Sequence, residues 1–147
     1  MKRTRATQVF CASCWPLLAA ILSGCQTPAP PTLEDTGSTE VVKLFFEGLV
    51  KQDWAQSFAV LTAERQKTIS LDQFRRQAQA YCKRLGFEPQ EVHIRSCEEH
   101  GTEAIAHLSL VGHVQGQRKQ FRESVVLKKS ANRWQVVPPN HFGTNSR

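Results

Sequence analysis

The hydrophobic period of this chain changes once, near residue 90, and that change decides what it can fold into. Upstream, apolar residues recur three and four apart; downstream, they alternate. Ser38 or Thr39 is placed to cap a first helix, with Glu40 in its first turn and Val42, Phe45, Phe46 and Leu49 on one face. Trp54, Phe58 and Leu61 repeat at i, i+4 and i+7 behind Asp53, a cap for a second, shorter helix. Ser70 caps a third, in which Leu71, Phe74, Ala78, Tyr81 and Leu85 form a stripe opposite Arg75, Arg76, Gln79 and Lys83, and Gly86 ends it.

From Glu91 the alternation begins. Val92, Ile94 and Ser96 alternate with His93, Arg95 and Cys97 up to a turn at His100-Gly101. Thr102 to Val114 reads as a second strand, with Ala106, Leu108, Leu110 and Val114 opposed to Ile105, His107, Ser109, Val111 and His113. After Gly116-Gln117, Phe121, Glu123, Val125 and Leu127 alternate with Arg122, Ser124, Val126 and Lys128. Ser130-Ala131-Asn132 turns the chain again, into a strand carrying Trp134 and Val136 before Pro138-Pro139. Short turns between consecutive strands make an antiparallel meander. The expectation is an α+β domain, residues 38–138, with three N-terminal helices on one face of a four-stranded sheet. Its core pairs Leu108, Leu110, Val125, Leu127, Trp134 and Val136 with Phe45, Phe46, Trp54, Phe58, Phe74 and Tyr81. Residues 139–147 are expected to form a flexible tail.

The first 37 residues have a different character. Lys2, Arg3 and Arg5 precede a mostly apolar run from Val9 to Leu22, interrupted by Pro16. Fourteen residues fall short of the ~20 needed to span a bilayer, and a charged start before a short apolar run describes a secretory signal peptide, 1–24. The run ends in Leu22-Ser23-Gly24-Cys25, which resembles the lipobox of bacterial lipoprotein precursors at all four positions. The resemblance implies that Cys25 carries a diacylglyceryl group and becomes the new N-terminus. Gln26 after the cysteine favours the outer membrane by the sorting rule of enteric bacteria, with the domain facing the periplasm or the cell surface. Residues 25–37, with Pro28, Pro30 and Pro31, read as an extended tether. Cys11 and Cys14 have a C-x-x-C spacing but lie within the signal segment.

Charge follows from this division. Lysine and arginine total 19 against 13 acids. Without the three N-terminal cations, 16 against 13 leaves +3, so the basic balance is a targeting feature and no nucleic-acid partner is expected. Hydrophobic residues at 40% exclude a disordered chain.

The element order, and the phrases VVKLFFEGLVKQDWAQSFAVL and SLDQFRRQA, resemble the nuclear transport factor 2-like superfamily, and within it small bacterial lipoproteins. The resemblance implies a cone-shaped fold in which a curved sheet wraps the helices, a pocket inside it, and dimerisation through the sheet. Trp54, Phe58, Tyr81 and Glu123 are the candidate pocket lining.

Little chemistry is visible. Glu123 is the one acid whose strand parity points to the core. It either acts as a general acid or base, or lies at a wet edge or pairs with an arginine, and the second is expected because no titratable partner shares its direction. Cys82 and Cys97, the thiols left besides Cys25, are a candidate disulfide closing a 15-residue separation, a contribution of ~3 kcal/mol in the chain-entropy model. Parity nevertheless turns Cys97 away from the apolar face unless a bulge reorients it. His93, His107 and His113 share the polar face with Arg95, Arg122, Lys128 and Arg133, a solvated basic face or dimer surface with weak attraction for anionic lipid or cell-wall polymer. No metal spacing, nucleotide loop or nucleophile elbow is present, and no cofactor is expected. Two functions follow: a membrane-anchored, non-catalytic binding domain for an envelope protein or small apolar ligand, and, as the alternative, a small-molecule isomerase or lyase using a pocket carboxylate.

Overall fold

A computed structural model describes residues 36–139 and 141–143; the signal segment, Cys25 and the tether through residue 35 lie outside them. Four helices precede four strands: α1 Ser38–Lys51, α2 Trp54–Ala59, α3 Ala63–Thr68 and α4 Leu71–Arg84, then β1 Pro89–His100, β2 Glu103–Val114, β3 Gln117–Ser130 and β4 Arg133–Val137. The strands pair antiparallel in the order β1-β2-β3-β4, as the short turns require. Gln115 and Gly116 both have positive φ, 51° and 76°, the left-handed pair that closes a tight hairpin compatible with strand twist.

Two of the expected caps form. Asp53 accepts from the Gln56 N–H at 3.0 Å, and Ser70 makes a reciprocal capping box with Gln73 at 3.2 and 2.9 Å. The first helix differs from expectation. Its N-cap is Gly37, with no side-chain bond, because the Ser38 hydroxyl is buried and lies 3.2 Å from Cys97 Sγ. Helices number four rather than three. The sequence AERQKT of α3 has no buried residue and hence no apolar stripe to read. Polar bonds hold it: Arg65 Nη2 to Gln77 Oε1 at 3.1 Å, and Gln66 Nε2 to the carbonyls of Phe58 and Ala59 at 2.8 and 3.0 Å.

The buried face of α1, Val42, Phe45, Phe46 and Leu49, meets Phe74, Ala78 and Tyr81 of α4 and the inward residues Ala106, Leu108, Leu110, Val125, Leu127, Trp134 and Val136 of the sheet. Helices α1 and α2 touch closely at Gly48, where a Cβ would stand 2.2 Å from Ser57 Oγ and 2.9 Å from the Asp53 carbonyl. Ser57 Oγ donates to the Phe45 carbonyl at 2.8 Å, so the polar atom admitted by this approach is satisfied. Trp54 and Phe58, expected in the core, are only partly buried at its margin.

Both outer strands of the sheet reach Thr36, just before α1. Trp134 Nε1 of β4 donates to Thr36 Oγ1 at 2.7 Å, and that hydroxyl donates to the Glu99 carboxylate of β1 at 2.8 and 3.0 Å. One hydroxyl thus ties the residues before α1 to both border strands. Desolvation raises the Glu99 carboxyl, but bonds from Ser38 and Thr36 outweigh it and hold the group below its ordinary range. The free edge of β4 is covered in turn: Val136 N–H donates to the Val60 carbonyl at 2.8 Å and Thr62 N–H to the Val136 carbonyl at 3.2 Å.

The pairing of β1 corrects the parity reading. Ile94 pairs with Leu108 and Ser96 with His107, leaving Arg95 as an extra residue. Beyond this bulge every side chain changes face, so Cys97 pairs with Ala106 and packs against the core. Cys82 and Cys97 are both free thiols, so the candidate bridge does not form in the structure.

Residues 141–143 do not behave as a tail. Phe142 is buried, stacked on Phe74 at 5.5 Å and within 5.2 Å of Tyr81 and 5.9 Å of Phe45, by ring centroids. Truncating a core phenylalanine costs ~3–5 kcal/mol, and Phe142→Ala is expected to lose that much in urea denaturation. A loss below ~0.5 kcal/mol, the surface-substitution range, would show that the segment is not packed.

Candidate functional site

The inward carboxylate foreseen on β3 has acquired partners. Glu123 stands across from Leu108 on β2 and is 8% exposed. Tyr81, seven residues after Phe74 on the buried face of α4, donates from its hydroxyl to Glu123 Oε2 at 3.1 Å. His141 Nε2 reaches the same oxygen at 2.8 Å, and the Ser124 N–H donates to Oε1 at 3.1 Å. His141 is brought there by the turn after Pro138-Pro139, closed by the Phe142 N–H on the Pro139 carbonyl at 2.8 Å. Arg84 pins it by donating from Nη1 to the His141 carbonyl at 2.7 Å. The rings of Tyr81 and His141 stack at 6.1 Å, with the Arg84 guanidinium 5.7 Å from the Tyr81 ring centroid.

This arrangement turns a buried carboxylate into a joint between helix, sheet and C-terminal segment. Both oxygens accept bonds, so burial is compensated. Burial, the Glu123 charge and donation to that carboxylate together push the Tyr81 phenol above its ordinary value, and it keeps its proton. Sequence reading reached Glu123 but not His141, which lies 18 residues on in a segment without periodicity. The isolated aromatic Phe142 after the two prolines was the only available signal.

The four candidate pocket residues do not form one pocket. Tyr81 and Glu123 are bonded inside the core, and Phe58 packs on Phe74 with ring centroids 5.7 Å apart. Trp54 instead lines a cavity of about 290 Å³ between α1, α2, α4 and the start of β1, with Leu49, Val50, Cys82 and Pro89. Gln52, Gln79, Lys83 and Glu88 supply its polar groups. Burial pushes the Cys82 thiol up to about 11, which keeps it in the poorly nucleophilic thiol form at neutral pH. Among the described residues no cluster of His, Cys, Asp and Glu is arranged to hold a metal ion, and no helix is long and apolar enough to cross a membrane.

A phenol whose value is raised by folding contributes stability that is complete below its unfolded value and is lost as pH rises beyond it. Tyr81→Phe is therefore expected to cost about 1.5–3 kcal/mol at neutral pH, the worth of a bond to a charged group. It should also flatten the fall in stability that wild type shows above pH ~10. Urea denaturation across pH measures both, and parallel curves for the two proteins would show that folding does not raise the Tyr81 phenol.

No family model matches the chain, and no curated protein matches it. Among solved structures, it is similar to a SEC-C motif containing protein from Rhodopseudomonas palustris, with a TM-score of 0.54 and 14% identity over 70% of this chain and 77% of the other. It is also similar to a protein from Campylobacter jejuni named as an NTF2-like transpeptidase, with a TM-score of 0.51 and 16% identity over 69% of this chain and 97% of the other. At these identities the likeness is one of fold: the α+β arrangement has an NTF2-like counterpart.

Proposed function

We propose that the chain is a bacterial lipoprotein, held in the cell envelope by lipid on Cys25, whose α+β domain is a non-catalytic binding module for a small apolar ligand. The cavity at Trp54 carries this reading. Its volume of about 290 Å³ is near the lower end of the ~300–1,000 Å³ typical of small-molecule sites, and Leu49, Val50, Trp54 and Pro89 supply apolar walls. Two further features support it. Aromatic side chains fill the interior, and the inward carboxylate of Glu123 is engaged by Tyr81, His141 and its neighbour's N–H. The Leu22-Ser23-Gly24-Cys25 signal supplies the address, and acylation of the new terminus would make attachment stable, since one chain alone binds a membrane only marginally.

An isomerase or lyase built on Glu123 is the second reading, favoured by the 2.8 Å contact with His141. It requires a substrate to displace Tyr81 or His141 from the carboxylate, and the binding reading requires no such exchange.

The neutral apolar fluorophore N-phenyl-1-naphthylamine tests the cavity. Saturable binding to the wild-type protein should weaken about tenfold or more in Trp54→Ala, given the apolar contact removed, and equal affinity in both would exclude this cavity. The anchor is tested separately by metabolic labelling with palmitate. Wild type should take label and fractionate with membranes, whereas Cys25→Ala should do neither; label retained in the variant would exclude Cys25.

A further inference from the structure

The outward face of the sheet carries a cluster that neither the cavity nor the Glu123 joint uses. At the β1 bulge Arg95 and Ser96 together oppose His107 of β2, so both bulge residues stand over one partner instead of alternating. Across β2, His107 pairs with Ser124 and Ser109 with Arg122. The result is two guanidinium groups, an imidazole and the two hydroxyls of Ser96 and Ser124 around one recess on three adjacent strands. Arg95, Ser96, His107, Arg122 and Ser124 line a recess of about 330 Å³. His107 Nδ1 and Ser124 Oγ are 2.8 Å apart, which fixes both side chains beside the arginines.

Charge at the cluster is unbalanced. Neither Arg95 nor Arg122 takes part in an ion pair among the described residues. Glu123 borders the recess but sends its carboxylate inward to Tyr81 and His141. Glu91 is bonded to His93 at 2.9 Å, and Glu98 stands across from Ile105, one outward pair farther along β2. The strands also leave one polar atom unsatisfied: the Ser109 hydroxyl, 1% exposed and opposite Arg122, has no hydrogen-bond partner. Ser109 lies beside the recess and does not line it.

We infer that this cluster is a binding site for a phosphate group. Guanidinium groups match phosphate oxygens in paired, planar donation, and hydroxyls and an imidazole add single donors around them. A carboxylate, with two oxygens, would use fewer of these donors than a phosphate, with up to four. The chemistry is shared by free phosphate and by phosphodiester headgroups of an anionic lipid surface. The site is independent of the Trp54 cavity and of the lipid on Cys25.

The test is a titration of the full-length protein with inorganic phosphate, followed by backbone amide resonances of Ser96, His107 and Arg122. Saturable shifts are expected, with affinity reduced at least ~10-fold in Arg95→Gln and in Arg122→Gln, the scale of one lost charge-assisted pair. Lys119→Gln removes the same charge outside the cluster and should leave affinity unchanged. Linear, unsaturable shifts, or an equal loss in Lys119→Gln, would overturn the proposal. Phosphatidylglycerol and phosphatidylcholine vesicles, mixed with the full-length Cys25→Ala protein so that no acyl chain retains it, then separate the sources. Retention on the first alone, released by phosphate and lost in Arg122→Gln, identifies a headgroup site. Saturation by phosphate without retention on either identifies a site for the free ion.

Discussion

The burial of one helix from several sides is the constraint on which the rest depends. The apolar face of α1, Val42, Phe45, Phe46 and Leu49, is too broad for a single neighbour, and it is covered by α4, by the inward face of the sheet and by Phe142. The bonds from Trp134 and to Glu99 through Thr36 tie β4 and β1 to the residues that lead into this helix. The Arg95 bulge belongs to the same solution, since bulges increase local bending and twist. It also turns Cys97 inward, where its sulfur meets Ser38 at the start of the helix being enclosed.

The opposite side of the core is finished by the C-terminal segment. Phe142 inserts among Phe45, Phe74 and Tyr81, and His141 adds a donor to Glu123. The polar joint and the aromatic packing are one structure, because the same two-residue step delivers both. A fold that encloses a carboxylate can leave it open to a ligand or use it to hold its own chain, and here the chain supplies the partners. The two sites proposed above for ligands lie away from this joint, the Trp54 cavity at the margin of the core and the arginine cluster on the outer face.

Most of the architecture was legible because it rests on periodicity. The sheet residues Leu108, Leu110, Val125, Leu127, Trp134 and Val136 were identifiable by alternation and all are buried. The caps Asp53 and Ser70 were identifiable by type and position. What escaped had no periodic mark. Helix α3 presents no apolar face, and a one-residue bulge at Arg95 leaves composition unchanged while reversing everything beyond it. Ser38 looked like a cap because its type suits one, but its hydroxyl sits beside a sulfur 59 positions away. Of the Glu123 site, strand parity gave the acid and the helical stripe gave Tyr81. The histidine came from a segment whose placement depends on tertiary packing alone.

The limited cover over β4 has a consequence for self-association. With Val60 and Thr62 bonded to Val136, the short β4 is met at that residue, but β3 runs on past it, and its residues Gln117 to Val125 have no strand neighbour on that side among the described residues. Arg118, Lys119 and Arg122 stand along this stretch, and charges of one sign on an open border oppose its pairing with the same border of another copy.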